Sequence, residues 1–131
     1  MGGNRGMEVH RKRIVSIVDD NESIRRSVRN LLLSEGFLVA VFDSAESFLQ
    51  SVQRETTGCL VLDLQMPGMS GLDLLAQLAT AGQQIPAVIL TAHGDNDARE
   101  RARQAGTVAF LDKPFRSAEL IEAIKSALRR G

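Results

Sequence analysis

Five short apolar runs, separated by segments of helical period, constrain this chain more than any other feature. They are Ile14-Val15-Ser16-Ile17-Val18, Leu38-Val39-Ala40-Val41-Phe42, Cys59-Leu60-Val61-Leu62, Ala87-Val88-Ile89-Leu90 and Val108-Ala109-Phe110-Leu111. Each is of strand length and rich in β-branched or aliphatic residues. Runs that stay apolar, instead of alternating with polar residues, belong to strands covered on both faces, as parallel strands are. Between them, Ile24, Val28, Leu31 and Leu32 recur at helical spacing before Gly36. Ser44 reads as the N-cap of a helix carrying Ala45, Phe48, Leu49 and Val52, and Ser70 as that of a helix carrying Leu72, Leu75 and Leu78, ended near Gly82. After Ser117 come Leu120, Ile121, Ile124 and Leu128 on one stripe.

Five β–α repeats joined by short connections predict an α/β fold with a doubly wound parallel sheet. The natural topology is the (βα)5 flavodoxin-like one, with strand order 2-1-3-4-5 and a site in the crevice beside strands 1 and 3. The fourth helix, Asp95 to Ala105, departs from its neighbours. Its apolar stripe is only Ala98, Ala102 and Ala105, ringed by Arg99, Arg101 and Arg103. Alanines remove little area from water at roughly 25 cal/mol per Å², so this helix is expected to be held weakly.

A length of 131 residues suits one domain, assigned to residues 12–131, after a flexible leader at 1–11 in which Met7 is a plausible start. Zero formal net charge argues against direct binding of nucleic acid or an anionic membrane surface. No stretch approaches the roughly 20 apolar residues that span a bilayer. The single Cys59 lies inside an apolar run, which reads as a small core residue in a reducing, cytoplasmic setting.

The polar residues at the ends of these runs carry the chemistry. Asp19-Asp20 closes the first run, Asp63 the third, Thr91 the fourth, and the fifth leads to Lys113. Taken singly, each has a bland reading: a helix-start acid pair, a turn former before Pro67-Gly68, a strand-end hydroxyl, a solvated loop cation. The predicted topology, however, delivers all four at one edge of one sheet. Three crowded carboxylates repel, and a divalent cation relieves that repulsion. Hard oxygen ligands and an open site suit Mg²⁺ (or Mn²⁺). Lys113 is placed to pair with Asp63 or a phosphoryl oxygen, and Thr91 to donate to another. Phosphoryl transfer asks mainly for positioning and charge neutralisation, with Asp63 as a carboxylate nucleophile.

These residues resemble a known family. Val18-Asp19-Asp20, Val61-Leu62-Asp63-Leu64-Gln65-Met66-Pro67-Gly68-Met69-Ser70-Gly71, Leu90-Thr91-Ala92-His93-Gly94-Asp95 and Phe110-Leu111-Asp112-Lys113-Pro114-Phe115 are similar to the signature of two-component response regulator receiver domains. The resemblance covers about residues 12–130, and is to the receivers of FixJ-type transcriptional regulators in particular. It implies that Asp63 accepts a phosphoryl group from a phosphohistidine on a sensor histidine kinase or phosphotransfer protein. By the same resemblance, Asp20 and Asp63 bind Mg²⁺ directly, Asp19 does so through water, and the Gln65 backbone carbonyl completes the protein ligands. Thr91, the Ala92 backbone N–H and Lys113 contact the phosphoryl oxygens, and the Lys113–Pro114 peptide is cis. The resemblance further implies that phosphorylation draws Thr91 inward and lets Phe110 follow, changing the surface of helix 4, strand 5 and helix 5, with a permanently buried core residue as the other reading of Phe110. Gln65 and His93 tune the lifetime of the acyl phosphate, with a solvated loop as the other reading of His93.

That module catalyses only its own phosphorylation and dephosphorylation. Two rivals fit less well. A haloacid-dehalogenase-like phosphatase carries its nucleophile on strand 1 and needs a cap domain; a flavin binder needs stacking aromatics, and the chain has no Trp or Tyr. FixJ-type proteins continue into a DNA-binding domain, so the ending at Arg129-Arg130-Gly131 reads as an excised receiver, with a stand-alone regulator that docks to a partner as the alternative. A phosphorylation-dependent homodimer is an open expectation.

Overall fold

Every apolar run becomes a strand of one parallel sheet. The computed structural model describes residues 13–91, 96–105 and 107–130. Its strands are β1 (Ile14–Val18), β2 (Val39–Phe42), β3 (Thr57–Asp63), β4 (Ala87–Thr91) and β5 (Thr107–Asp112), in the spatial order β2-β1-β3-β4-β5. The helices are α1 (Glu22–Ser34), α2 (Ala45–Gln50), α3 (Gly71–Thr80), α4 (Asn96–Gln104) and α5 (Ser117–Arg130), with a 3-10 turn at Val52–Thr56. This is the strand order and fold class the sequence predicts. The leader at 1–11 lies outside the described residues.

Side-chain alternation along the strands divides the core in two. Leu60 and Leu62 of β3 and Ala87 and Ile89 of β4 face α2, α3 and α4, meeting Phe48, Leu74, Leu78 and Ala102. Cys59, Val61, Val88 and Leu90 point the other way, against Val28 and Leu32 of α1 and Leu120, Ile124 and Ala127 of α5. Both faces of β1, β3 and β4 are therefore covered, which is why their sequences run apolar without a break. Fully burying each Leu or Ile here is worth about 1.5–3 kcal/mol. Cys59 is one of these core residues, and burial pushes its thiol up to about 12.

Local signals set the helix starts. Asn21 caps α1, its side chain accepting from the Ile24 N–H, and Ser44 caps α2 in the same way. Ser70 and Asp73 form a reciprocal capping box on α3. The apolar stripe expected on α2 is cut short. Val52 does not continue the apolar face of α2 but stands 86% exposed. The helix stops at Gln50 because the Ser51 hydroxyl takes the Gln53 N–H and starts the 3-10 turn instead.

Candidate functional site

At the carboxyl end of the sheet, β1 and β3 are neighbours in register, Val18 opposite Leu62. The residues that follow each strand, Asp19 and Asp20 after β1 and Asp63 at the tip of β3, therefore share one crevice. Asp19 and Asp63 are buried and Asp20 is exposed at the rim, and one carboxylate oxygen from each lies within 4.8 Å of the others. Lys113 reaches across from beyond β5. Its Nζ donates to Asp19 Oδ2 at 3.3 Å and to Asp63 Oδ2 at 3.4 Å. The Lys113 backbone N–H also donates to the Thr91 carbonyl at 2.8 Å, so β4 and β5 end together. The Lys113–Pro114 peptide is cis.

Burial pushes the Asp63 carboxyl above the ordinary carboxylate range. The Gln65 N–H, 3.0 Å from Asp63 Oδ1, pulls it back; Asp19 adds to the rise, and Lys113 opposes it. One lysine thus contacts two of the three clustered acids. The donor set is all carboxylate oxygen, close-spaced, with one member open to water, and this fits a hard divalent cation such as Mg²⁺.

The turn after Asp63 is built to let the chain pass close beneath it. A Cβ on Gly71 would stand 2.5 Å from the Asp63 carbonyl oxygen and 2.9 Å from Leu64 Cα, so α3 can start there only with glycine. Gly68, at φ 74°, makes the turn, and Glu46 of α2 accepts the Met69 N–H at 3.2 Å. Glu46 is a support for this loop that its sequence position, on a helix from another repeat, does not announce.

Thr91 is buried at the tip of β4. Beside it, a cavity of about 180 Å³ opens between the β3–α3 turn and α4, lined by Gln65, Ser70, Ala98 and Arg99 among others. Gln65 is exposed on that loop. Phe110 pairs with Ile89 in the β4–β5 register, on the α4 side of the sheet, and is half-buried. Two guanidiniums of α4 lie against its ring, Arg99 at 5.5 Å and Arg103 at 5.8 Å from the centroid. Arg99 also pairs with Asp112, two residues further along β5. Ala92 and His93 lie outside the described residues.

The structure thus brings Asp19, Asp20, Asp63 and Lys113 together, with Thr91 and Gln65 on the adjoining strand end and loop. It also adds Arg25, which the sequence reading passed over: its Nη1 donates to the Asp19 carbonyl at 2.8 Å. No helix among the described residues is long and apolar enough to cross a membrane.

Known proteins share this arrangement of sequence and fold. The response regulator receiver domain family matches residues 15–125. Nodulation protein W of Bradyrhizobium diazoefficiens is 46% identical over 123 residues, covering 94% of this chain and 54% of that protein. Transcriptional regulatory protein FixJ of Rhizobium meliloti is 43% identical over 113 residues, covering 86% of this chain and 55% of the relative. The solved structure of the response regulator StyR superposes with a TM-score of 0.83 at 48% identity, covering 88% of this chain and 59% of that one. The chain spans about half the length of the curated relatives it matches. Five parallel strands with an acid crevice at their carboxyl ends, and a family match over most of the sequence, give one conclusion: the chain belongs to the response regulator receiver domains of two-component signalling.

Proposed function

We propose that Asp63 is the phosphoacceptor of this receiver. The observation that carries the reading is the Lys113 ammonium, held between Asp19 and Asp63 at 3.3 and 3.4 Å beside a third carboxylate. In the reaction, one Asp63 oxygen forms a bond to phosphorus while the phosphorus–nitrogen bond of a partner's phosphohistidine breaks. The imidazole leaves with that bonding pair and takes a proton from solvent. Asp63 enters as the carboxylate; the Gln65 N–H keeps one of its oxygens oriented. Lys113 exchanges its contact with Asp63 for one with a phosphoryl oxygen, Thr91 donates to another, and the Ala92 N–H to a third. Asp20, Asp63 and the Gln65 carbonyl would hold Mg²⁺ (or Mn²⁺) directly, and Asp19 would do so through water. When bound, the cation offsets the charge of the carboxylates and of the phosphoryl oxygens.

A sensor histidine kinase or phosphotransfer protein supplies the group. The domain promotes its own phosphorylation and, by attack of water on phosphorus, its return to Asp63 carboxylate and inorganic phosphate. Gln65 and His93 set that lifetime. Thr91 and Phe110 carry the change to α4, β5 and α5, where the cavity beside Thr91 offers room for movement. The unit that does this is residues 12–131, in the cytoplasm, behind the leader at 1–11. The name of the FixJ relative supports control of transcription by an output domain in the whole protein, with phosphorylation-dependent pairing of receivers as the link.

Intact mass after incubation with acetyl phosphate tests the reading. Wild type gains one phosphoryl group in Mg²⁺ and none in chelator; Asp63→Asn gains none in either. A mass gain that survives Asp63→Asn would place the acceptor elsewhere.

A further inference from the structure

We infer that Arg25 is a positioning residue for the acid cluster; the inference rests on the metal-binding role proposed above. Asp20 is the one acid of the three exposed at the rim, so packing does not hold it. Its backbone is held instead. The peptide after it is pinned by the Asn21 N–H, which donates to Asp19 Oδ1 at 2.9 Å. The peptide before it is pinned by Arg25, whose Nη1 donates to the Asp19 carbonyl at 2.8 Å. Because a peptide unit is planar, fixing the Asp19 carbonyl fixes the nitrogen of Asp20 and the direction in which its Cα leaves. The Asp19 N–H is already tied to the Phe42 carbonyl of β2 at 3.2 Å. Arg25 thus closes the last freedom of the turn that aims Asp20 into the crevice.

Its neighbours on α1 show that this is no general property of the helix. Arg26 pairs with Glu22 and Arg29 with Asn30, both at the surface. Arg25 is half-buried and turns toward the end of β1. A guanidinium beside a cation site has two opposed effects. Its charge repels a bound cation, so removing it should tighten metal binding. Its hydrogen bond orients a ligand, so removing it should weaken binding, and loss of such outer partners costs about tenfold or more in metal affinity. The geometry points to the second effect as the larger.

Calorimetric titration of the full chain with Mg²⁺ separates them. Wild type must bind and Asp20→Asn must bind more weakly; if wild type does not bind, the metal-site reading itself fails. Given that, Arg25→Ala should bind Mg²⁺ about tenfold more weakly, and Arg25→Lys, which keeps a donor of similar reach, should recover most of the loss. Phosphorylation by acetyl phosphate should be slower in Arg25→Ala at low Mg²⁺ and equal to wild type at saturating Mg²⁺. Alanine is a good helix former and Val28 and Leu32 stay in place, so the variant should unfold near the wild-type temperature without metal. Mg²⁺ affinity in Arg25→Ala equal to or tighter than wild type would overturn the inference. So would an Arg25→Lys variant as weak as Arg25→Ala.

Discussion

Helices α4 and α5 flank the same strand, β5, and are held by different forces. Helix α5 seats Leu120, Ile121, Ile124 and Ala127 in the core. In α4 only Ala102 is buried, and the helix is tied to β5 through Arg99 and Arg103 on the Phe110 ring and Arg99 on Asp112. Apolar burial is lost only when the helix leaves its seat, whereas contacts between partly exposed charged groups are individually worth about 1 kcal/mol or less. The molecule can therefore yield more readily on the α4 side of the sheet than on the α5 side. A change at Thr91 or Phe110 meets a firm wall on one face of the sheet and a loosely tethered helix on the other.

The comparison predicts graded responses. Ile124→Ala on α5 should cost about 2–5 kcal/mol in urea unfolding. A cost near 1 kcal/mol would mean that α5 is held no better than α4. Asp63→Asn should give a smaller change of opposite sign. Burial raises the Asp63 pKa, so the folded state holds its proton to higher pH than the unfolded chain does. The cost of that buried charge is therefore absent below the ordinary value of 3.8 and sets in as pH rises from there through the raised value. Metal-free Asp63→Asn should be more stable than wild type at neutral pH and lack that part of the pH dependence. Equal thermal midpoints across the range would remove the strain assigned to the acid crevice.

Smallest of all, Arg99→Ala and Arg103→Ala should each cost under about 1 kcal/mol of global stability. Their effect should show in faster hydrogen exchange within residues 96–104, and added salt should produce a similar, partial loosening there but not in α5. Equal loosening of both helices would erase the distinction.

The strands could be read directly because burial on both faces leaves an unbroken apolar signature, and the four polar strand ends followed from the topology those strands impose. Asp19, Asp20, Asp63 and Lys113 were legible for that reason: each ends or follows a run, and a parallel sheet aligns the ends. What could not be read were contacts between a side chain and a distant backbone. Arg25 looks like a solvated helix charge, since its partner is the carbonyl of Asp19 and carbonyls leave no mark in a sequence. Glu46 on the Met69 N–H is hidden for the same cause. Val52 was misplaced because helical spacing continued past Ser51 while the Ser51 hydroxyl stopped the helix. The thin alanine stripe of α4 is legible in the sequence, but the reach of its arginines to Phe110 and Asp112 needs the register of β5.

The most direct test of the account is hydrogen exchange read peptide by peptide, with and without acetyl phosphate, in Mg²⁺. Exchange should change most in residues 96–104 and 107–112, less in α5, and nowhere in Asp63→Asn. Phosphorylated protein whose α4 exchanges as before, or whose α5 core responds as strongly as α4, would contradict the account.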